Sequence, residues 1–291
     1  MFSSIYLAIL LLGASLVAGA PHRRDIARRR GCGTHISSAQ IASAERLFQT
    51  NRLPPPDENS TATVTLDIHF HVVYANETLD GGFVPDEQIR AQVDVMNRDY
   101  NITGITWNLV TISRILSPDW FAKVAPDTPE EADLKSQYRK GNASTLNVYT
   151  VGLKEGPGQG LLGYATFPKD YSGQPSNDGV VILYSTMPGG PTPPYNMGRT
   201  LTHESGHWSG LYHTFEGGCT GKGDHVDDTP PEKEAAYGCV KTRRTCPKSK
   251  LDDPTTNFMD YSDDACMTGG FTKGQGTRIR AQMRTYRAVA I

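Results

Sequence analysis

Beyond its first twenty residues the chain has no apolar stretch of membrane-spanning length, so no membrane contact is expected after export. It has no long run of one charge sign either. The formal net charge is −2 over 291 residues, which gives no reason to expect a nucleic-acid partner. One basic cluster, Arg23-Arg24 to Arg28-Arg29-Arg30, reads as a processing site or a solvated leader. Internal repeats are missing, and with them the solenoid and array architectures. Cysteine is sparse, at five residues. A 37% hydrophobic fraction over this length suits one globular domain with a short leader.

Residues 1–20 have the pattern of a secretory signal peptide. Ile5 to Val17 is apolar but too short to span comfortably, and Ala18-Gly19-Ala20 offers small residues at the cleavage site. Its first residues lack the usual Lys or Arg. A signal anchor is the competing reading. The expected location is extracellular. Four N-x-[ST] sequons agree with export, at Asn59, Asn76, Asn101 and Asn142. In an exported chain, cysteines pair, and five leave one over. Cys219, Cys239, Cys246 and Cys266 cluster late in the chain, where three pairings are open; Cys32 stands alone.

Residues 21–60 read as a polar extension or short pro-segment ending in Leu53-Pro54-Pro55-Pro56-Asp57. A catalytic domain is expected over 61–291. Its first strand is predicted from Val64 to Tyr74, where apolar residues alternate with Thr, Asp and His. His69 and His71 belong to that alternation and are read as structural. A helix follows Pro85-Asp86-Glu87, with Ile89, Val93, Met96 and Tyr100 at helical spacing. Further strands are predicted from Ile105 to Ile115, Thr145 to Leu153 and Val180 to Ser185. A last helix is predicted from about Thr277 to Ala288.

The chemistry concentrates in His203-Glu204-Ser205-Gly206-His207-Trp208-Ser209-Gly210-Leu211-Tyr212-His213. Positions four apart share one face of a helix, so His203 and His207 can reach one metal ion. Gly210 permits a sharp turn with positive φ, which brings His213 back as a third imidazole. Three protein ligands with one open position describe catalytic zinc. Glu204, beside the first ligand, is the candidate general base. Downstream lies Asn257-Phe258-Met259-Asp260-Tyr261. The long consensus followed by a methionine turn marks metzincin metalloproteases, with Met259 beneath the imidazoles. Tyr261 is placed to stabilise an oxyanion, or else packs beneath the cleft.

With H-E-S-G-H-W-S-G-L-Y-H-T-F, G-D-H-V-D-D-T-P-P and N-F-M-D-Y-S-D-D-A-C-M in view, the chain resembles the pappalysin family of metzincins. More narrowly, it is similar to that family's short secreted fungal metalloproteases. The resemblance spans most of the chain from the first strand onward. Ser205 and Ser209 depart from it, standing where aliphatic residues are usual; losing each buried side chain forfeits about 1.5–3 kcal/mol.

The resemblance implies an α+β protein, with a mixed twisted sheet over the zinc helix and an irregular, disulfide-bound lower half. Substrate would lie as an added strand along the sheet edge, for which Gly160 to Phe167 is the candidate. It implies the interleaved bridges Cys219–Cys246 and Cys239–Cys266, and suggests calcium near Asp224, Asp227, Asp228 and Thr229, whose oxygens suit that ion; with no EF-hand pattern, their spacing reads equally as a solvated acidic turn. The expected function is zinc-dependent endopeptidase action on extracellular proteins or peptides. The alternative is an exported zinc-binding interaction protein that has lost catalysis, against which the intact Glu204 speaks. Oligomeric state is left open. Finally, Arg30-Gly31-Cys32-Gly33 resembles a cysteine-switch segment, whose thiolate would close the open zinc position. The rival reading makes Cys32 an ordinary residue near the mature N-terminus.

Overall fold

The computed structural model describes residues 1, 29–55 and 62–291, so the signal segment, Arg23, Arg24, Arg28 and Asn59 lie outside it. Five strands form one sheet: β1 (Val64–Tyr74), β2 (Ile105–Leu116), β3 (Leu146–Val151), β4 (Gly163–Ala165) and β5 (Val180–Leu183). Their order is β2-β1-β3-β5-β4. The first four pair in parallel, while β4 runs antiparallel to β5 and forms an edge within the predicted segment 160–167. Strand β1 alternates only over its first residues and is buried throughout from Ile68. That is the expected signature of a central strand covered on both faces. Its histidines are structural. His69 meets the Thr111 hydroxyl at 2.7 Å, and His71 bonds Asn147 at 2.9 Å while stacking on Tyr149.

Helix α2 (Asp86–Asp99) buries Ile89, Val93 and Met96, as the spacing predicts. The helix carrying the metal motif, here α5 (Arg199–Trp208), packs beneath β4 and β5 and against α2. The last helix, α6 (Lys273–Arg287), begins one turn earlier than predicted. Gly274 and Gly276 give no periodicity there, but Thr272 and Gln275 form a reciprocal capping box. Three helices have no counterpart in the sequence reading: α1 (Ser38–Asn51), α3 (Pro118–Lys123) and α4 (Pro129–Tyr138). Between α5 and α6 the chain is irregular apart from one short 3₁₀ turn. Two interleaved bridges, Cys219–Cys246 and Cys239–Cys266, cross-link it.

A buried ion pair ties α6 to the rest. Arg287 donates to both Asp178 oxygens at 2.9 and 3.1 Å and lies over the Trp208 ring, 3.6 Å from its centroid. Trp208 Nε1 and the Thr166 hydroxyl also donate to Asp178. Burial would raise the Asp178 pKa, but Arg287 and these donors outweigh it and hold the carboxyl below its ordinary value. Such a group contributes stability above its unfolded pKa of about 3.9, lost as pH falls through the lower folded value. Asp178→Asn leaves Arg287 buried without a counter-charge and should cost about 3 kcal/mol in denaturant unfolding with disulfides intact. The variant should also lose part of the acid sensitivity seen in the parent. A cost under about 1 kcal/mol, the value of an exposed pair, would contradict this role.

Candidate active site and metal centre

Helix α5 starts after Gly198 and ends at Trp208, and Gly210 then turns the chain at φ +102°. A Cβ at Gly210 would also meet the Gln282 side chain at 2.5 Å, so shape and conformation both demand glycine. The turn brings His213 back against His203 and His207. All three imidazoles are buried, and each Nδ1 has an acceptor. His203 donates to Phe258 O at 2.7 Å, His207 to Leu211 O at 2.9 Å, and His213 to the Glu216 carboxylate at 3.1 Å. These bonds fix one tautomer and leave every Nε2 as a lone pair.

The lone pairs converge. His207 Nε2 and His213 Nε2 stand 3.1 Å apart, and His203 Nε2 is buried with no hydrogen-bond partner. Burial, then the other imidazoles, hold His203 well below its ordinary pKa. Burial likewise lowers His207 and takes His213 to about 3, so all three are neutral. Neutral nitrogens facing one another repel unless a cation lies between them. Tetrahedral zinc ligands at 2.0–2.1 Å are about 3.3 Å apart, close to the observed spacing. The residues fit zinc.

Met259 is fully buried beneath α5, and a Cβ on Gly206 would approach its sulfur to 2.4 Å. Gly206 therefore lets the methionine lie directly against the helix. Ser205 and Ser209 are buried and face the Tyr100 phenol, whose ring packs edge-on against Trp107 and Phe271. Ser209 donates its hydroxyl to Ser205 O at 2.8 Å, one turn back on the helix. Tyr261 reaches the centre, its hydroxyl 3.2 Å from His213 Nε2. Glu204 is buried, and burial raises its pKa to about 8. A dication beside it would favour the ionised form again.

The extension before β1 enters this site. Cys32 Sγ lies 3.6 Å from His207 Nε2, and the thiol donates to Glu204 Oε2 at 3.4 Å. Among the described residues, Cys32, His203, His207 and His213 form the one group of His, Cys, Asp or Glu side chains close enough to share an ion. Residues around Cys32 pair as a strand along β4: Leu162 N donates to Gly31 O and Gly33 N to Gly163 O. Cys32 pairs with Gly163 in parallel. The Thr34 hydroxyl donates to Glu204 at 3.3 Å. Arg30 is buried, donating to Asp264 at 2.5 Å with its guanidinium over the Tyr195 ring.

Other predicted positions stand apart from this centre. The Thr229 hydroxyl lies 2.7 and 2.8 Å from the two Asp224 oxygens, and Asp228 accepts from the Thr272 hydroxyl and Gly274 N at the start of α6. With Asp227 they form no metal-sharing group. Asn76, Asn101 and Asn142 are exposed. Three residues at the centre escaped the sequence reading, Asp264, Thr34 and Glu216; Arg30, part of the switch-like segment, was given no partner there. Arg30 and Asp264 are 234 residues apart, and no local pattern links them. Glu216, three residues after His213, could have been flagged as its orienting carboxylate.

Comparison with known proteins agrees with this geometry. The family model described as pregnancy-associated plasma protein-A matches residues 131–284. An extracellular metalloprotease of Verticillium alfalfae is 38% identical over 99% of this chain and all of its own length. One from Colletotrichum graminicola is 43% identical, covering 89% of this chain and 91% of the relative. Among solved structures, mature mirolysin of Tannerella forsythia with a cleaved peptide superposes at TM-score 0.65 and 28% identity, over 79% of this chain and 98% of its own. A promirolysin mutant superposes at 0.71 and 27% identity, over 88% and 95%. A metal-ready trio of histidines, a methionine floor and relatives matched end to end place this chain in the pappalysin family of metzincins, as a zinc metalloendopeptidase.

Proposed function

We propose that this protein is exported, that His203, His207 and His213 hold its zinc, and that residues 21–60 keep it latent until removed. The observation that carries the reading is the fourth corner of the site, where Cys32 Sγ sits among the three imidazoles within 4.8 Å. Zinc binds thiolate sulfur well, and a thiolate there excludes the water that hydrolysis needs. Burial and then Glu204 raise the free thiol's pKa, and a metal ligand must be deprotonated, so the metal supplies the compensating charge. The precursor form of mirolysin covers more of this chain than the mature form does, which supports a leader here. Export is supported by the signal pattern of residues 1–20 and by relatives named extracellular. No described helix is long and apolar enough to cross a membrane. The sequons at Asn76, Asn101 and Asn142 are available for glycans, whereas the oxygens around Asp224 are engaged in protein hydrogen bonds.

When bound, zinc supplies Lewis acidity and a water acidified towards pKa 7. With the leader gone, β4 presents free main-chain groups at Leu162 and Gly163 to a peptide laid along the edge. Glu204, vacated by Cys32 and Thr34, takes the proton of the attacking water and returns it to the leaving amine. Tyr261 donates to the oxygen that gains charge. Asp264 is left as a buried carboxylate which, among the described residues, is further bonded to backbone N–H of Met197 and Arg199. A substrate arginine or lysine entering where Arg30 lay restores its partner, which gives the cleft a preference for basic residues.

Three outcomes follow from these roles. Glu204→Gln should retain fold and zinc while hydrolysis falls by a factor of about 10²–10⁴. More than about a tenth of parental activity would remove the residue from the base role. Cys32→Ala should make the unprocessed precursor active on denatured casein; equal activity of variant and parent precursors would sink the latency assignment. Asp264→Asn in the processed enzyme should lower kcat/KM for Arg-containing peptides about tenfold or more and spare Leu-containing ones. An equal loss on both would show a structural role alone.

A further inference from the structure

The leader meets the rest of the chain at a second place. Glu45, on the buried face of α1, accepts from Arg278 through both oxygens, at 2.5 and 3.1 Å. The Tyr212 hydroxyl donates to it at 3.0 Å, and His225 Nδ1 lies 3.6 Å away. Burial would raise the Glu45 pKa, but Arg278 outweighs it and the carboxylate stays charged. Around this pair the apolar contact is modest. Ile41 packs with Phe167 and Tyr212, and Phe48 with the Tyr286 ring. Helices of this length are marginal on their own in water, so α1 depends on what it docks against. Arg278 faces two ways: its Nε donates to Gly210 O at 2.9 Å, on the turn between His207 and His213, and its outer nitrogens grip the leader.

We propose that Arg278, Tyr212 and His225 form a carboxylate-binding site, separate from the metal, that receives Glu45 and holds helix α1 whether or not Cys32 is in place. The guanidinium fork matches a carboxylate bidentately, the tyrosine adds a third donor, and stacking of Arg278 on the Tyr212 ring at 4.8 Å fixes its orientation. Beside the contacts of Arg30, Cys32 and Thr34 in the cleft, the leader is thereby held at a separate point, a carboxylate at Arg278. The proposal rests on residues 21–60 being a leader and not on the role of the thiol.

The test uses full-length precursor loaded with cobalt(II), whose thiolate-to-metal absorption reports Cys32, and hydrogen exchange of α1 amides, which reports the second site. Glu45→Gln should speed exchange across Ile41–Asn51 about tenfold or more, as loss of hydrogen bonds to a charged group implies, while the thiolate absorption persists. Cys32→Ala should abolish the absorption and leave α1 protected. Unchanged exchange in Glu45→Gln overturns the proposal, and so does equal loosening of α1 in Cys32→Ala. Absence of the thiolate band in the parent, with α1 still freed by Glu45→Gln, sinks the metal role of Cys32 and leaves this site standing. Should Glu45→Gln loosen the whole precursor, Tyr212→Phe, which removes one donor, must raise exchange in α1 above that elsewhere; a uniform rise there counts against the site.

Discussion

Everything at the centre depends on three buried, neutral imidazoles whose lone pairs point at one another. That arrangement is unfavourable in itself, and its neighbours make it obligatory. Phe258 O, Leu211 O and the Glu216 carboxylate each take an Nδ1 proton, so no ring can turn away without stranding a donor. The cost of bringing the lone pairs together is offset by the cation they are built to receive. The same constraint explains the framework: Gly210 for the turn, Met259 beneath Gly206, and bridges that fix the long irregular segment leading to Met259.

The segment around Cys32, which the proposed function takes as a removable leader, complements that centre in chemistry and in shape. Its backbone extends the sheet at β4, its thiol faces the imidazoles, and its Arg30 neutralises Asp264. Under the proposed function, each contact occupies a group that hydrolysis would use: the edge, the metal site, the base and a side-chain pocket. One short segment thus covers the site by satisfying it, and needs no bulky plug. Helix α1 adds a hold beyond the cleft, on the surface formed by the turn after α5 and by α6.

Much of the centre was legible because its determinants are local. His203, Glu204, His207, Gly210 and His213 lie within eleven residues, and helix geometry converts that spacing into one face. Helix α2 was legible for the same reason, and strand β1 through the alternation and apolar residues of its sequence, although its burial is continuous from Ile68. What escaped depends on distant partners. Helix α1 buries only Ile41, Ala44, Glu45 and Phe48, a face too sparse to read as apolar until Phe167, Tyr212 and Arg278 complete it. Its Ser37–Gln40 capping box was a usable local sign. The pairing of Arg30 with Asp264 carries no such mark.

The central claim is that the three histidines and Cys32 surround one zinc ion in the intact precursor. X-ray absorption at the zinc edge of that precursor tests it most directly. The expected spectrum has three nitrogen neighbours at about 2.0–2.1 Å and one sulfur at about 2.3 Å. A first shell of nitrogen and oxygen alone, with no sulfur, would contradict the account.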